Sequence, residues 1–146
     1  MTFDQLSVFI ENKPGKLLEA LEILASADID MRALSLADTE NFGILRIIVN
    51  KTKAALEVLQ EADYLVKISE VIAVEISDRP GGFAEILRFL TNAGVQVEYT
   101  YAFFAHSHDI HDTHDKAYVI LRVTDNDVAV KILSDNSVKL LSNADL

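Results

Sequence analysis

The chain has 146 residues, half of them hydrophobic and a quarter charged, a balance that suits a globular fold and excludes a disordered one. It contains no cysteine, which excludes a disulfide framework and a thiolate metal site, and its formal net charge of −10 disfavours nucleic acid and anionic lipid as partners. No apolar run approaches the ~20 residues that span a bilayer, and the opening residues Met1 to Gln5 lack the basic stretch of an export signal. A cytoplasmic protein with no membrane partner is therefore expected.

In chain order, Leu6 to Ile10 has strand character and ends at the turn Asn12-Lys13-Pro14-Gly15. Lys16 to Ala27 follows as a helix, with Leu17, Ala20, Leu21, Leu24 and Ala27 on one face at three- and four-residue spacing. Strands are expected at Met31 to Ala37 and Phe42 to Val49, joined by the polar hairpin Asp38 to Asn41. Asn50 or Thr52 is positioned to cap a helix that runs through Ala62, and Tyr64 to Ser69 reads as a closing strand. The second half repeats this order: strand Val71 to Ser77, turn Asp78-Arg79-Pro80-Gly81, helix Gly82 to Ala93, and strands Val97 to Phe104 and Ala117 to Thr124. A short helix, Asp127 to Ser134 with Asp125 as its cap, and a strand, Ser137 to Leu141, complete it.

The similarity of the halves extends to individual residues. Aligning 12–36 with 78–102 without a gap gives six identities, among them Pro14/Pro80, Gly15/Gly81, Glu19/Glu85 and Leu24/Leu90. Two βαββαβ repeats, 1–69 and 70–146, are expected, each an antiparallel ferredoxin-like sheet with both helices on one face, giving an α+β fold. Units of roughly 70 residues are near the lower limit for a self-sufficient core, so packing on each other or on a second chain is expected, with a homodimer as the favoured assembly. Strands such as Ile44 to Val49 carry apolar side chains on both faces, which implies that the face away from the helices is covered too. Tyr99, Tyr101 and Phe103 share one face of their strand; a chain-to-chain contact, a ligand pocket and a place under the helices are all open to them.

With the turn and helix of Val8 to Leu24 repeated in Val74 to Leu90, the chain resembles the tandem ACT-domain proteins, small modules that bind amino acids and regulate amino-acid metabolism. The resemblance implies a non-catalytic regulatory protein with a free amino acid as ligand, no cofactor, and a regulated enzyme or other protein as possible partner. It places the effector at an ACT–ACT interface, on the first strand-to-helix turns: Asn12, Lys13, Pro14, Gly15, Lys16 and Leu17 in one repeat, and Asp78, Arg79, Pro80, Gly81, Gly82 and Phe83 in the other. Met31 and Val97, with Leu17 and Phe83, would touch the ligand side chain. The physical basis is an uncapped helix amino terminus, whose N–H groups and positive potential suit a carboxylate, beside a glycine that permits close approach. The same turn could equally be a plain helix cap. Of the two turns the second, with Gly82 where the first has Lys16, is the more open.

All four histidines, His106, His108, His111 and His114, fall in one insertion between the second and third strands of the second repeat. Their density with Asp109, Asp112 and Asp115 makes a metal-binding loop one alternative function, and an apolar interaction module a second. A hairpin tip supplies no fixed geometry by default, so no metal is expected there. The sequence contains no cysteine nucleophile, no Gly-x-Ser-x-Gly elbow, no phosphate loop and no dinucleotide fingerprint, so no enzyme is expected.

Overall fold

The computed structural model describes residues 1–38, 40–103 and 116–145. The elements run β1 (Phe3–Glu11), α1 (Lys16–Ser26), β2 (Met31–Asp38), β3 (Phe42–Val49), α2 (Thr52–Glu61), β4 (Leu65–Ser77), α3 (Gly82–Asn92), β5 (Val97–Phe103), β6 (Lys116–Val123) and α4 (Asn126–Asp135). The fold is α+β with antiparallel strands. It divides into two compact units: Asp4–Ser69, here the N-terminal unit, and Glu70–Leu146 with Met1–Phe3, here the C-terminal unit.

In the N-terminal unit β3 pairs with β1 on one side and β2 on the other. Leu6, Val8 and Ile10 of β1 alternate onto one face, where Leu6 and Val8 stand opposite Ile47 and Leu45 of β3. Both helices pack on that face: Ala20 and Leu24 of α1 and Ala55 and Leu59 of α2 are buried with them in one core. Four-residue spacing puts each pair on a single helix stripe. Each fully buried leucine contributes roughly 1.5–3 kcal/mol through area removed from water.

The C-terminal unit is built the same way, with β6 between β4 and β5. Ile72 and Val74 of β4 meet Leu121 and Val119 of β6, and Ile86 and Leu90 of α3 with Ala129 and Leu133 of α4 close over them. The face away from the helices is buried as well. In this unit it carries Val71, Ala73 and Ile120, fully buried, and in the other Gln5, whose side-chain amide donates to Ser7 Oγ at 3.2 Å. Tyr99, Tyr101 and Phe103 pair with Arg122, Ile120 and Tyr118 on this second face and so do not lie under the helices. The Phe103 and Tyr118 rings are tilted at 44° with centroids 5.8 Å apart.

Three local expectations need correction. The strands expected at 64–69 and 71–77 are one, β4, because Ser69-Glu70 has no glycine, proline or asparagine to break it. The strand expected at 137–141 is reduced to one bridge, Val74 with Leu140, flanked by hydrogen bonds from Glu75 N to Lys139 O (3.0 Å) and from Leu141 N to Ala73 O (2.9 Å). Neither Asn50 nor Thr52 caps α2: the N-cap is Lys51, without a side-chain bond, and Asn50 Oδ1 instead accepts from Asp30 N at 3.0 Å. Asp125 does cap α4, accepting from Val128 N at 3.0 Å. No helix among the described residues is long and apolar enough to cross a membrane.

Candidate functional site: two glycine-capped helix starts and one open cleft

The two Pro-Gly turns are built by the same backbone hydrogen bonds. Lys13 N donates to Glu11 O (2.8 Å) and Arg79 N to Ser77 O (2.9 Å); Lys16 N donates to Lys13 O (3.3 Å) and Gly82 N to Arg79 O (3.0 Å). Gly15 and Gly81 are the N-caps of α1 and α3, at φ +83 and +86, in the left-handed region where a Cβ is penalised. No side chain caps either helix. Asn12 and Asp78 therefore do not cap the helices through their side chains, and the first amides, of Lys16 and Gly82, are taken by main-chain carbonyls of the turns.

Asn12, Lys13, Asp78, Arg79, Pro14 and Pro80 are exposed, whereas Gly82 is buried. Cations flank both turns but are engaged by carboxylates: Lys13 with Glu11 (2.7 Å), Lys16 with Glu19 (3.3 Å), Arg79 with Glu85 (2.8 Å). These pairs are solvent-exposed, so they contribute little to stability. Leu17 and Met31 are half-buried against the core of the N-terminal unit, and Phe83 and Val97 against that of the C-terminal unit.

The turns differ where the repeats differ. A Cβ on Gly82 would lie 2.1 Å from Ser77 O, so only glycine allows the second turn to close backbone on backbone. Beside it opens a cleft of about 430 Å3. Ser77, Gly82, Glu85 and Phe89 line it from the turn and α3, and Asn136, Ser137 and Val138 from the segment after α4. Of the residues singled out in the sequence, only Gly82 borders this cleft.

In the N-terminal unit the corresponding space is occupied. The Tyr64 hydroxyl donates to Glu19 Oε1 at 2.9 Å and lies 3.3 Å from the Lys16 carbonyl oxygen. Burial, and then its bond to Glu19, push the Tyr64 phenol up to about 12. The same bond, followed by Lys16, holds the Glu19 carboxyl below its ordinary value. A signal for this asymmetry was available in the sequence. Aligning the segments after α2 and α4 sets Val138 at the place of Tyr64, a ring-sized loss that an alignment stopping at Ala102 does not reach.

His106, His108, His111 and His114 lie outside the described residues, among which no cluster of three histidine or carboxylate side chains could hold a metal ion.

Two α+β units in tandem, with six antiparallel strands and four helices among the described residues, each open their first helix on a glycine that no side chain caps. The family model of the ACT domain pair matches residues 1–146, and the chain belongs to that family. It is 35% identical to a protein from Bacteroides thetaiotaomicron of known crystal structure, with a TM-score of 0.88 over 99% of this chain and 95% of that one. It shares its fold with the regulatory subunit of aspartate kinase from Thermus thermophilus in a ligand-free form, at 14% identity and a TM-score of 0.62 over 90% of this chain and 91% of that one. The regulatory subunit from Thermus flavus is similar to the same degree, at 13% identity and a TM-score of 0.61 over 92% and 91%. No curated protein matches the sequence.

Proposed function

We propose that this protein is a non-catalytic regulatory module that binds a free amino acid at its strand-to-helix turns, Asn12 to Leu17 and Asp78 to Phe83, and acts as a homodimer, by itself or on a partner enzyme. The observation that carries this reading is the pair of glycine N-caps without side-chain capping bonds. Main-chain N–H groups at such a terminus, with its positive potential, suit the ligand carboxylate, and Asp78 suits its ammonium group. Membership in the ACT domain pair family supports regulation over catalysis, and the fold shared with regulatory subunits of aspartate kinase agrees with it. The homodimer is supported by Leu34 and Leu36, large apolar side chains left exposed on β2, which among the described residues pairs only with β3.

A thermal-shift panel of the twenty amino acids in the presence of EDTA tests the reading. A ligand at 100 times its Kd stabilises the folded state by about 2.7 kcal/mol. One or a few amino acids are expected to raise Tm, and Asp78→Ala to weaken that response about tenfold while leaving the unliganded Tm unchanged. A panel with no response overturns the proposal.

A further inference from the structure

The two units serve as templates for each other, and they differ at one place in a way that specifies a ligand. The residue offset between them is 66 up to the end of the first helix, where Ile29 N donates to Leu24 O and Val95 N to Leu90 O. It is 74 after the insertion, where Tyr64 N donates to Leu59 O (3.0 Å) and Val138 N to Leu133 O (2.9 Å). Asp63 and Ser137, the residues just before, both take the left-handed conformation, at φ 65 and 60. Tyr64 and Val138 therefore stand at the same point of the same backbone. The first offset pairs Glu19 with Glu85 and Lys16 with Gly82.

In the N-terminal unit these positions form a closed set: the Tyr64 hydroxyl donates to the Glu19 carboxylate and reaches the Lys16 carbonyl. In the C-terminal unit both acceptors have counterparts, the Glu85 carboxylate and the Gly82 main chain, and both line the cleft. Glu85 is held by Arg79 as Glu19 is held by Lys16. Val138 replaces Tyr64 and so removes the hydroxyl beside the carboxylate, while Ile86 and Phe89 stand where the N-terminal unit has Ala20 and Ile23. Ile86 and Phe89 supply apolar walls for a ring. The cleft volume of about 430 Å3 falls in the ~300–1,000 Å3 range of small-molecule sites.

We propose that the cleft beside Gly82 binds a small phenol, with the ligand ring where Tyr64 lies in the N-terminal unit and its hydroxyl donating to Glu85. This site adjoins the second turn and shares Gly82 with it, but its test uses Glu85 and Val138, which the amino-acid reading of the turns does not include.

The test is an amide NMR titration of the full chain with p-cresol, the tyrosine side-chain analogue, and with toluene, which lacks the hydroxyl. Saturable shifts at Gly82, Glu85 and Val138 are expected with p-cresol, and binding of toluene weaker by about tenfold or more, the worth of one hydrogen bond to a charged acceptor. Val138→Tyr, which restores the plug, is expected to abolish p-cresol binding; Glu85→Ala, which needs no repacking, is expected to weaken it about tenfold. Absence of saturable shifts with p-cresol, equal binding of toluene, or undiminished affinity in either variant overturns the proposal. A loss confined to Asp78→Ala with amino acids concerns the turns and leaves this cleft untouched.

Discussion

Tyr64 is the side chain on which the difference between the units turns, and its chemistry gives a measurable signature. The unfolded phenol releases its proton near 10.0, whereas the folded one, buried and bonded to Glu19, keeps it to about 12. Between these values the folded state binds the proton and the unfolded state does not, so stability falls as pH rises through that window. Below pH 10 the contribution is present in full. Tyr64→Phe is therefore expected to be less stable than the parent at pH 8, by about 0.5–1 kcal/mol for a hydrogen bond to a largely exposed carboxylate. That difference should shrink above pH 10 and reverse before pH 12, since the phenylalanine has no proton to lose. Urea unfolding of both proteins across pH 8 to 12 checks it; parallel curves would show that ionisation of the phenol is not coupled to folding.

At the scale of elements, local chemistry made the helices legible and long-range pairing made the strand ends less so. Helix starts were visible because Pro14-Gly15, Pro80-Gly81 and Asp125 are short-range signals. Asn50 carried the same kind of signal yet serves the chain twenty residues away, holding the Asp30 amide. Thr124 does this for Gln96 in the other unit, through Oγ1 at 3.1 Å, a role that no window around either residue reveals. The closing segment after α4 kept a strand's composition but makes a single bridge, and Ser142 to Asp145 folds it into a tight turn just beyond. Asp125 gives the element-scale prediction. Asp125→Ala removes the one side-chain bond to the first turn of α4 and is expected to destabilise the protein by about 1 kcal/mol in equilibrium denaturation. Asn50→Ala should act through the β2 start instead and leave the helicity of α2 unchanged.

For the whole molecule, the duplication and the fold class were legible because apolar spacing and turn residues repeat together, and the family model agrees. The cleft was legible only at Gly82, which marks the second turn as the more open, because its other wall, Val138, belongs to no motif. Assembly adds a prediction at this scale. Leu34 and Leu36 are about half exposed on β2, at 49% and 46%, more than an isolated unit of this size gains from leaving in water. Light scattering is expected to give twice the chain mass, and the double variant Leu34→Glu, Leu36→Glu to give the mass of one chain. A monomeric parent protein would remove the homodimer from the functional reading.

The helix ends of both units are sealed main chain to main chain, with the same donors and acceptors at corresponding positions and left-handed residues at Asp28 and Gly94, Asp63 and Ser137. Scaffolding of that kind asks almost nothing of the side chains that hang from it. The two units can therefore differ in what they hold without differing in backbone: one has an internal tyrosine, and the other a valine beside an open cleft. Exchanging Tyr64 with Val138 would, on this view, move the vacancy from one copy to the other while the fold stays as it is.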